Sequence, residues 1–207
     1  MKGKLLAITA LLALLLSSTA ITQAAAHLSL PFSHAAVCSP LSPLVREERL
    51  PTGAFHSLPP LMDGDILLTF CVHSFGWRHG HAALVIDGEN KKTLEALTCF
   101  SPSVVLSAES WRSYPSFVVL RLGENNGTAA AAASYAEKHL VGVDYRLTSG
   151  LLGKKAPDSI HGGQCAYLIW YAFQALGVDL DSDGGKLVTV DDLRKSPLLD
   201  VVAEIGM

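Results

Sequence analysis

Four cysteines and eight histidines carry most of the chemistry this sequence could do. Cys165 stands out among them. It follows Gly162-Gly163-Gln164 and opens an apolar run, Ala166-Tyr167-Leu168-Ile169-Trp170, that reads as a helix. A helix N-terminus presents unpaired N–H groups and a partial positive charge. Such a setting lowers a thiol's pKa and stabilises the thiolate. The same N–H groups can hold the oxyanion formed when a thiolate attacks a carbonyl. The two glycines let a substrate come close. Position alone also fits a plainer reading, a small buried cysteine at the head of an apolar stripe.

A nucleophilic thiol needs a base. The histidines are at 27, 34, 56, 73, 79, 81, 139 and 161, and none lies among the 42 residues after Cys165. His161 sits in a loop four residues before the thiol. His139 falls on the apolar face of a helix. His81 opens a strand-like run, His81-Ala82-Ala83-Leu84-Val85-Ile86, and a strand end is a rigid mount. An imidazole base also needs an orienting acceptor. Glu95, in Thr93-Leu94-Glu95-Ala96-Leu97, is a carboxylate among strand formers, costly to bury unless paired. If the two runs form a hairpin, His81 and Glu95 can share a face. The plainer readings are a strand-edge histidine and a solvent-facing glutamate. His73, His79 and His81 also admit a metal reading, with the His-x-His rings on one strand face, but a metal site needs a suitably placed third or fourth ligand and no Cys-x-x-Cys spacing exists.

The elements that must hold these residues follow from periodicity. Asp63-Gly64 is a turn. Residues 66–71, 81–86, 93–97, 104–106 and 117–122 read as strands, with a hairpin turn at Asp87-Gly88-Glu89-Asn90. Thr128 is the expected N-cap of a helix over 129–140. A second helix runs over 165–176 and stops at Gly177. A short helix capped by Thr189 ends at 195, and 198–205 is the expected last strand. Strands first and helices later imply an α+β domain. Residues 73–80 read as a polar and aromatic loop.

The ends of the chain need separate treatment. Lys2 and Lys4 precede an apolar stretch, Leu5 to Leu16, followed by small residues, with expected cuts after Ala24 or Ala26. That is the layout of a secretory signal peptide over 1–24. The stretch is short for a membrane span of about 20 residues, although an uncleaved anchor is the alternative. The cut leaves 183 of 207 residues and removes two lysines, taking the formal charge from −3 to −5. The positive mean hydropathy of +0.32 comes partly from that leader. Residues 25–62 form a Pro-rich extension with little periodicity, and the main domain spans 63–207. A mildly acidic chain without a Lys or Arg block disfavours nucleic-acid binding. With 49% hydrophobic residues it is no disordered segment. Four cysteines allow three two-bridge pairings. If Cys165 is a free thiol, at most one pair forms among Cys38, Cys71 and Cys99. Cys71 and Cys99 end strand-like runs and are the candidates for it.

Together these residues resemble the NlpC-type cysteine hydrolase superfamily, in its circularly permuted, YiiX/YebB-like branch of papain-like folds. The resemblance runs over about Asp63 to Leu193. It rests on Gly64-Asp65-Ile66-Leu67-Leu68 with Gly80-His81-Ala82-Ala83-Leu84-Val85. Leu94-Glu95-Ala96 is its second block. The third runs from Gly142-Val143-Asp144-Tyr145 through Cys165 to Gly177-Val178-Asp179-Leu180. The order His81, Glu95, Cys165 matches the permuted branch. Ala166-Tyr167 after the cysteine and Gln164 before it depart from the common pattern. The resemblance implies a permuted papain-like α+β fold, with an antiparallel sheet or small barrel packed against helices. It implies a Cys165–His81–Glu95 triad acting on an amide, as in a cell-wall stem peptide, with no metal or cofactor. Tyr145, Gly163, Gln164 and Trp77 are then expected along the substrate cleft. A lipid-like acyl substrate, with peripheral membrane contact near Trp77 and Phe75, is the runner-up. A non-catalytic module binding peptidoglycan or a protein is the third reading.

Expression with the natural N-terminus in a secreting host is expected to yield a chain beginning at Ala25 or His27. N-terminal sequencing checks this, and a retained Met1 contradicts the leader.

Overall fold

The computed structural model describes residues 45–207 apart from 75–76, 99–100, 124–126 and 152. The expected leader, the extension up to residue 44 with Cys38, Phe75 and Cys99 all lie outside the described residues. The described residues belong to one compact unit. None of their helices is long and apolar enough to cross a membrane.

Eight strands form: β1 (Val45–Glu47), β2 (Ile66–Thr69), β3 (Val72–Ser74), β4 (His81–Asp87), β5 (Lys92–Glu95), β6 (Val104–Ser107), β7 (Phe117–Leu122) and β8 (Leu199–Ile205). Six make one open antiparallel sheet, in the order β6-β5-β4-β2-β7-β8. The small pair β1–β3 stands apart. The helices are α1 (Thr128–His139), α2 (Cys165–Gln174) and α3 (Val190–Lys195), with a 3₁₀ helix at Ala108–Ser113. The α+β fold expected from the sequence is therefore present, with an open sheet in place of a barrel.

Both faces of the sheet are covered, which is why Ile66, Leu67 and Leu68 are all buried in succession. On one face Ile66, Leu68, Ala82, Leu84, Val118 and Leu120 pack against α1 and α2. Helix α2 is apolar almost all round and is buried from Ala166 to Phe173. Its neighbour α1 buries Ala132, Ala133 and Ala136, small side chains that let the helix approach closely. On the other face Leu67, Ala83, Val85, Phe117 and Val119 meet Trp111 and Tyr114. Val45, Leu58 and Leu61 close this second layer.

Three local outcomes differ from the sequence reading. Val72–Ser74, whose His73 and Ser74 were expected in a loop, is a strand because it pairs with Val45–Glu47; strands of three residues are too short to show alternation. Gly127, not Thr128, caps α1, and it supplies no side-chain bond. Cys71 is a free, buried thiol beside Ser116 rather than a disulfide partner.

The turn before β2 is tightly specified. Asp65 is buried and takes a two-point bond from Arg121 of β7, at 2.7 and 2.8 Å, while accepting the Met62 N–H at 2.8 Å. Gly64 has φ +87°, and a Cβ there would lie 2.4 Å from the Ala129 carbonyl oxygen at the start of α1. Gly64→Ala is expected to cost about 3 kcal/mol, from the left-handed backbone and the collision together. The urea midpoint reads this, and a shift below a third of that value contradicts it.

Candidate active site

Helix α2 begins at Cys165 because Gln164 caps it. Gln164 is extended, and its Oε1 accepts the Ala166 N–H at 2.8 Å. Its Nε2 donates to the Val188 carbonyl. Its side chain is thus engaged with the helix start, with Oε1 also 3.5 Å from the Cys165 sulfur. Gly163 leads into this cap, where a Cβ would lie 2.5 Å from Leu168 Cδ2. Cys165 is half-buried, and the rest of its helix is sealed beneath it.

His81 is the first residue of β4. Gly80 before it has φ +76°, and a Cβ there would meet the Thr69 carbonyl oxygen at 2.8 Å and Val190 Cγ1 at 2.9 Å. Glycine is therefore what lets β4 start beneath α3 and set the imidazole. Pairing of Leu84 with Leu94 and Val85 with Thr93 puts Ala83 opposite Glu95. His81, two residues on, shares that face and is a diagonal neighbour of Glu95. His81 Nε2 lies 2.8 Å from Glu95 Oε2. Cys165 lies near enough to act on the same ring, and its influence raises the His81 pKa.

The carboxylate is held from behind. Glu95 is 1% exposed, and its Oε1 accepts Thr93 Oγ1–H at 2.8 Å and Trp111 Nε1–H at 3.1 Å. The Trp111 indole also stacks on the His81 ring, centroids 5.5 Å apart and planes 18° apart. The sequence reading did not include Thr93 or Trp111. Thr93 was accessible to it, since it stands two residues from Glu95 on the same strand face. Trp111 was not, because its place depends on the 3₁₀ helix folding back under the sheet.

The sulfur sits where β5 has ended. The β4–β5 pairing starts at Leu84 and Leu94, so the Ala82 N–H lies short of it, and the N–H groups of Ala82 and Ala166 both favour a charged Cys165 sulfur. Burial disfavours the charged form of His81. Hydrogen bonds from Cys165 and Glu95, with their charges, outweigh it and raise the imidazole from 6.5 to about 10. Burial likewise pushes the Cys165 thiol up, but His81 and the two N–H groups bring it below its ordinary 9.0. The two shifts run in opposite directions, and each partner contributes to the other's.

The remaining expected residues are more scattered. Tyr145 is partly buried against the helix-face core. Trp77 is 64% exposed and meets only the edge of the His79 ring, 5.7 Å away. His79 is occupied by Ser74 Oγ and the Gly80 carbonyl, each at 2.9 Å. Burial, first, and the charges of His81 and His73 lower its pKa against the pull of the Gly80 carbonyl. His73 faces Glu48 at 3.5 Å. The three histidines 73, 79 and 81 therefore point to separate partners. Among the described residues, three possible metal-ligating groups converge only at Asp181, Asp183 and Asp192. There Lys155 pairs with Asp181, and Asp192 takes part in the capping box of α3 with Thr189.

Glu95→Gln removes a charge that raises the His81 pKa, so the midpoint is expected to move down from about 10. The folded value lies above the unfolded 6.5, so this charge's stabilisation is complete below pH 6.5 and is lost as pH rises through about 10. The wild type's advantage in urea over Glu95→Gln should shrink across that window. NMR titration of the ring reads the shift, and an unmoved midpoint contradicts the Glu95 contribution.

No family model matches the sequence, and no curated protein matches it. Among solved structures, the fold is similar to that of the metalloprotein YiiX from Escherichia coli O157:H7. The TM-score is 0.51, over 70% of this chain and 98% of that one, at 16% identity. What the two share at that identity is the fold, an antiparallel sheet packed against helices.

Proposed function

We propose that this protein is an exported cysteine hydrolase that cleaves an amide bond, in a cell-wall stem peptide, through an acyl-enzyme. The observation that carries this reading is the row Cys165–His81–Glu95, with a half-buried sulfur at a helix N-terminus and the imidazole and carboxylate buried behind it. Cys165 is the nucleophile. Its thiolate attacks the carbonyl carbon and the C=O electrons move to oxygen. The Cys165 N–H, as the first of its helix, has no intrahelical acceptor and can receive that oxyanion. His81 gives its proton to the leaving amine as the C–N bond breaks. Water then attacks the thioester, its proton passes to His81, and the acid leaves with the thiolate restored. Glu95 keeps the imidazole oriented and stabilises its charged form. Gly163 lets the chain pass close over Leu168 and Tyr167 as it enters the cap, and Tyr145 lines the cleft.

Support for an amide comes from the likeness of the Cys165, His81 and Glu95 order to NlpC-type hydrolases. The Lys-led apolar leader supports export. No metal is needed in this scheme. The neighbouring fold belongs to a metalloprotein, but here His81 spends one ring nitrogen on Glu95 and its ring is acted on by Cys165. No third ligand converges on that pair among the described residues. An acyl-lipid substrate is the second reading. Its support is the exposure of Trp77, beside the His79 ring, and of Leu147, two residues past Tyr145.

Purified mature chain and Cys165→Ser are incubated in parallel with sacculi and with phospholipid vesicles, and products are read by mass spectrometry. The expected result is new peptide termini from sacculi, lost at least about a thousandfold in Cys165→Ser. Fatty acid released from vesicles instead would favour the second reading. Binding to sacculi without products, unchanged in the variant, would leave a non-catalytic module.

A further inference from the structure

The loop between α1 and α2 returns on itself just before the thiol. Its residues 144–146 lie directly against residues 162–163. The Gly163 N–H donates to the Asp144 carbonyl at 3.0 Å, and Ser149 Oγ–H donates to the Gly162 carbonyl at 2.7 Å. A Cβ on Gly162 would lie 2.8 Å from Arg146 Cβ and 3.2 Å from Arg146 Nε. Glycine at 162 thus leaves the room that the arginine stem occupies. Gly162 is three residues from Cys165, at most about 10 Å of extended chain.

Arg146 is exposed, and among the described residues it makes no ion pair or hydrogen bond. The lysines of the same region are engaged. Lys154 pairs with Asp158 at 2.7 Å, Lys155 with Asp181, and Lys186 reaches the Gly153 carbonyl at 3.4 Å. A guanidinium is a planar fork whose matching acceptor is a carboxylate or another planar oxyanion. Here such a fork stands unmatched beside the loop segment that leads into the nucleophile. The oxygen-rich side chain nearest in sequence, Asp144, does not close it.

We infer that Arg146 determines specificity by anchoring a substrate carboxylate, within about three residues of the amide that Cys165 attacks. This rests on the hydrolase reading. The substrate class is accordingly an acidic peptide, one with a free carboxylate flanking the scissile bond. A neutral acyl lipid offers Arg146 nothing to hold.

The probes are two small thiol reagents of similar size, iodoacetate with a carboxylate and iodoacetamide without one. Second-order rates are measured on the full chain, with peptide mass spectrometry assigning the label to Cys165. In Arg146→Gln the iodoacetate rate should fall about three- to tenfold while the iodoacetamide rate stays within about twofold. Arg146→Lys should lie between, and raising the salt should narrow the wild-type preference. A reactive Cys165 whose rate ratio is unchanged in Arg146→Gln overturns this inference and leaves the hydrolase reading standing. A wild-type Cys165 that resists iodoacetamide overturns both. Circular dichroism of both variants confirms the fold, so an equal loss of both rates in a folded variant also counts against Arg146.

Discussion

Everything about the candidate site depends on one buried carboxylate. An ionised Glu95 with 1% exposure would be strongly unfavourable alone. It is tolerated because its oxygens meet the Thr93 hydroxyl, the Trp111 indole N–H and the His81 ring. Each of these demands an element. Thr93 requires β5 to keep its register for two residues. Trp111 requires the 3₁₀ helix to run under the sheet. His81 requires β4 to begin at the glycine that passes under Val190. The carboxylate in turn holds the imidazole, and the imidazole lowers the pKa of the thiol. Loss of any donor leaves a charge that the fold cannot solvate.

The back wall of that arrangement is built from distant chain. Tyr114 packs on Trp111 with centroids 5.1 Å apart, and the Arg49 guanidinium lies 3.5 Å over the Tyr114 ring. Arg49 is itself held by Glu47 at 2.6 Å and by Ser113 Oγ at 2.8 Å. Burial, first, and the Glu47 charge raise the Tyr114 pKa, against the pull of Arg49, so the phenol stays neutral. Residues 45–62 are therefore more than a tether. They cover the aromatic layer that holds Glu95, through strand β1 and the irregular segment after it.

The sequence shows some of this plainly and hides the rest for physical reasons. The strands at 81–87 and 117–122 and the helix at Cys165 are legible because each buries a long apolar run with clear ends. Thr189 is legible as a cap because its box with Asp192 is local. Cys165, His81 and Glu95 were singled out by residue type, and the fold brings them into one row. The β1–β3 pair and Trp111 were not legible. Their places are set by contacts across 16 residues or more of chain, between segments too short to show a period. Gly127 at the start of α1 was missed because Thr128 offers the better capping side chain, whereas the backbone there turns left-handed, at φ +83°.

The thiol is also coupled to the C-terminal loop. The Gln164 amide bridges two structures, giving its oxygen to the start of α2 and its N–H to the Val188 carbonyl. Val188 precedes the α3 capping box, in which Thr189 and Asp192 bond reciprocally. Asp192 also accepts from Ser182 Oγ at 3.1 Å, drawing the Asp181–Asp183 loop into the same network. Val190, the next residue, packs at the glycine where β4 begins. One short helix therefore touches the mounts of both the sulfur and the imidazole. Helix α3, clamped by its own cap, joins the two mounts from the side opposite the aromatic wall.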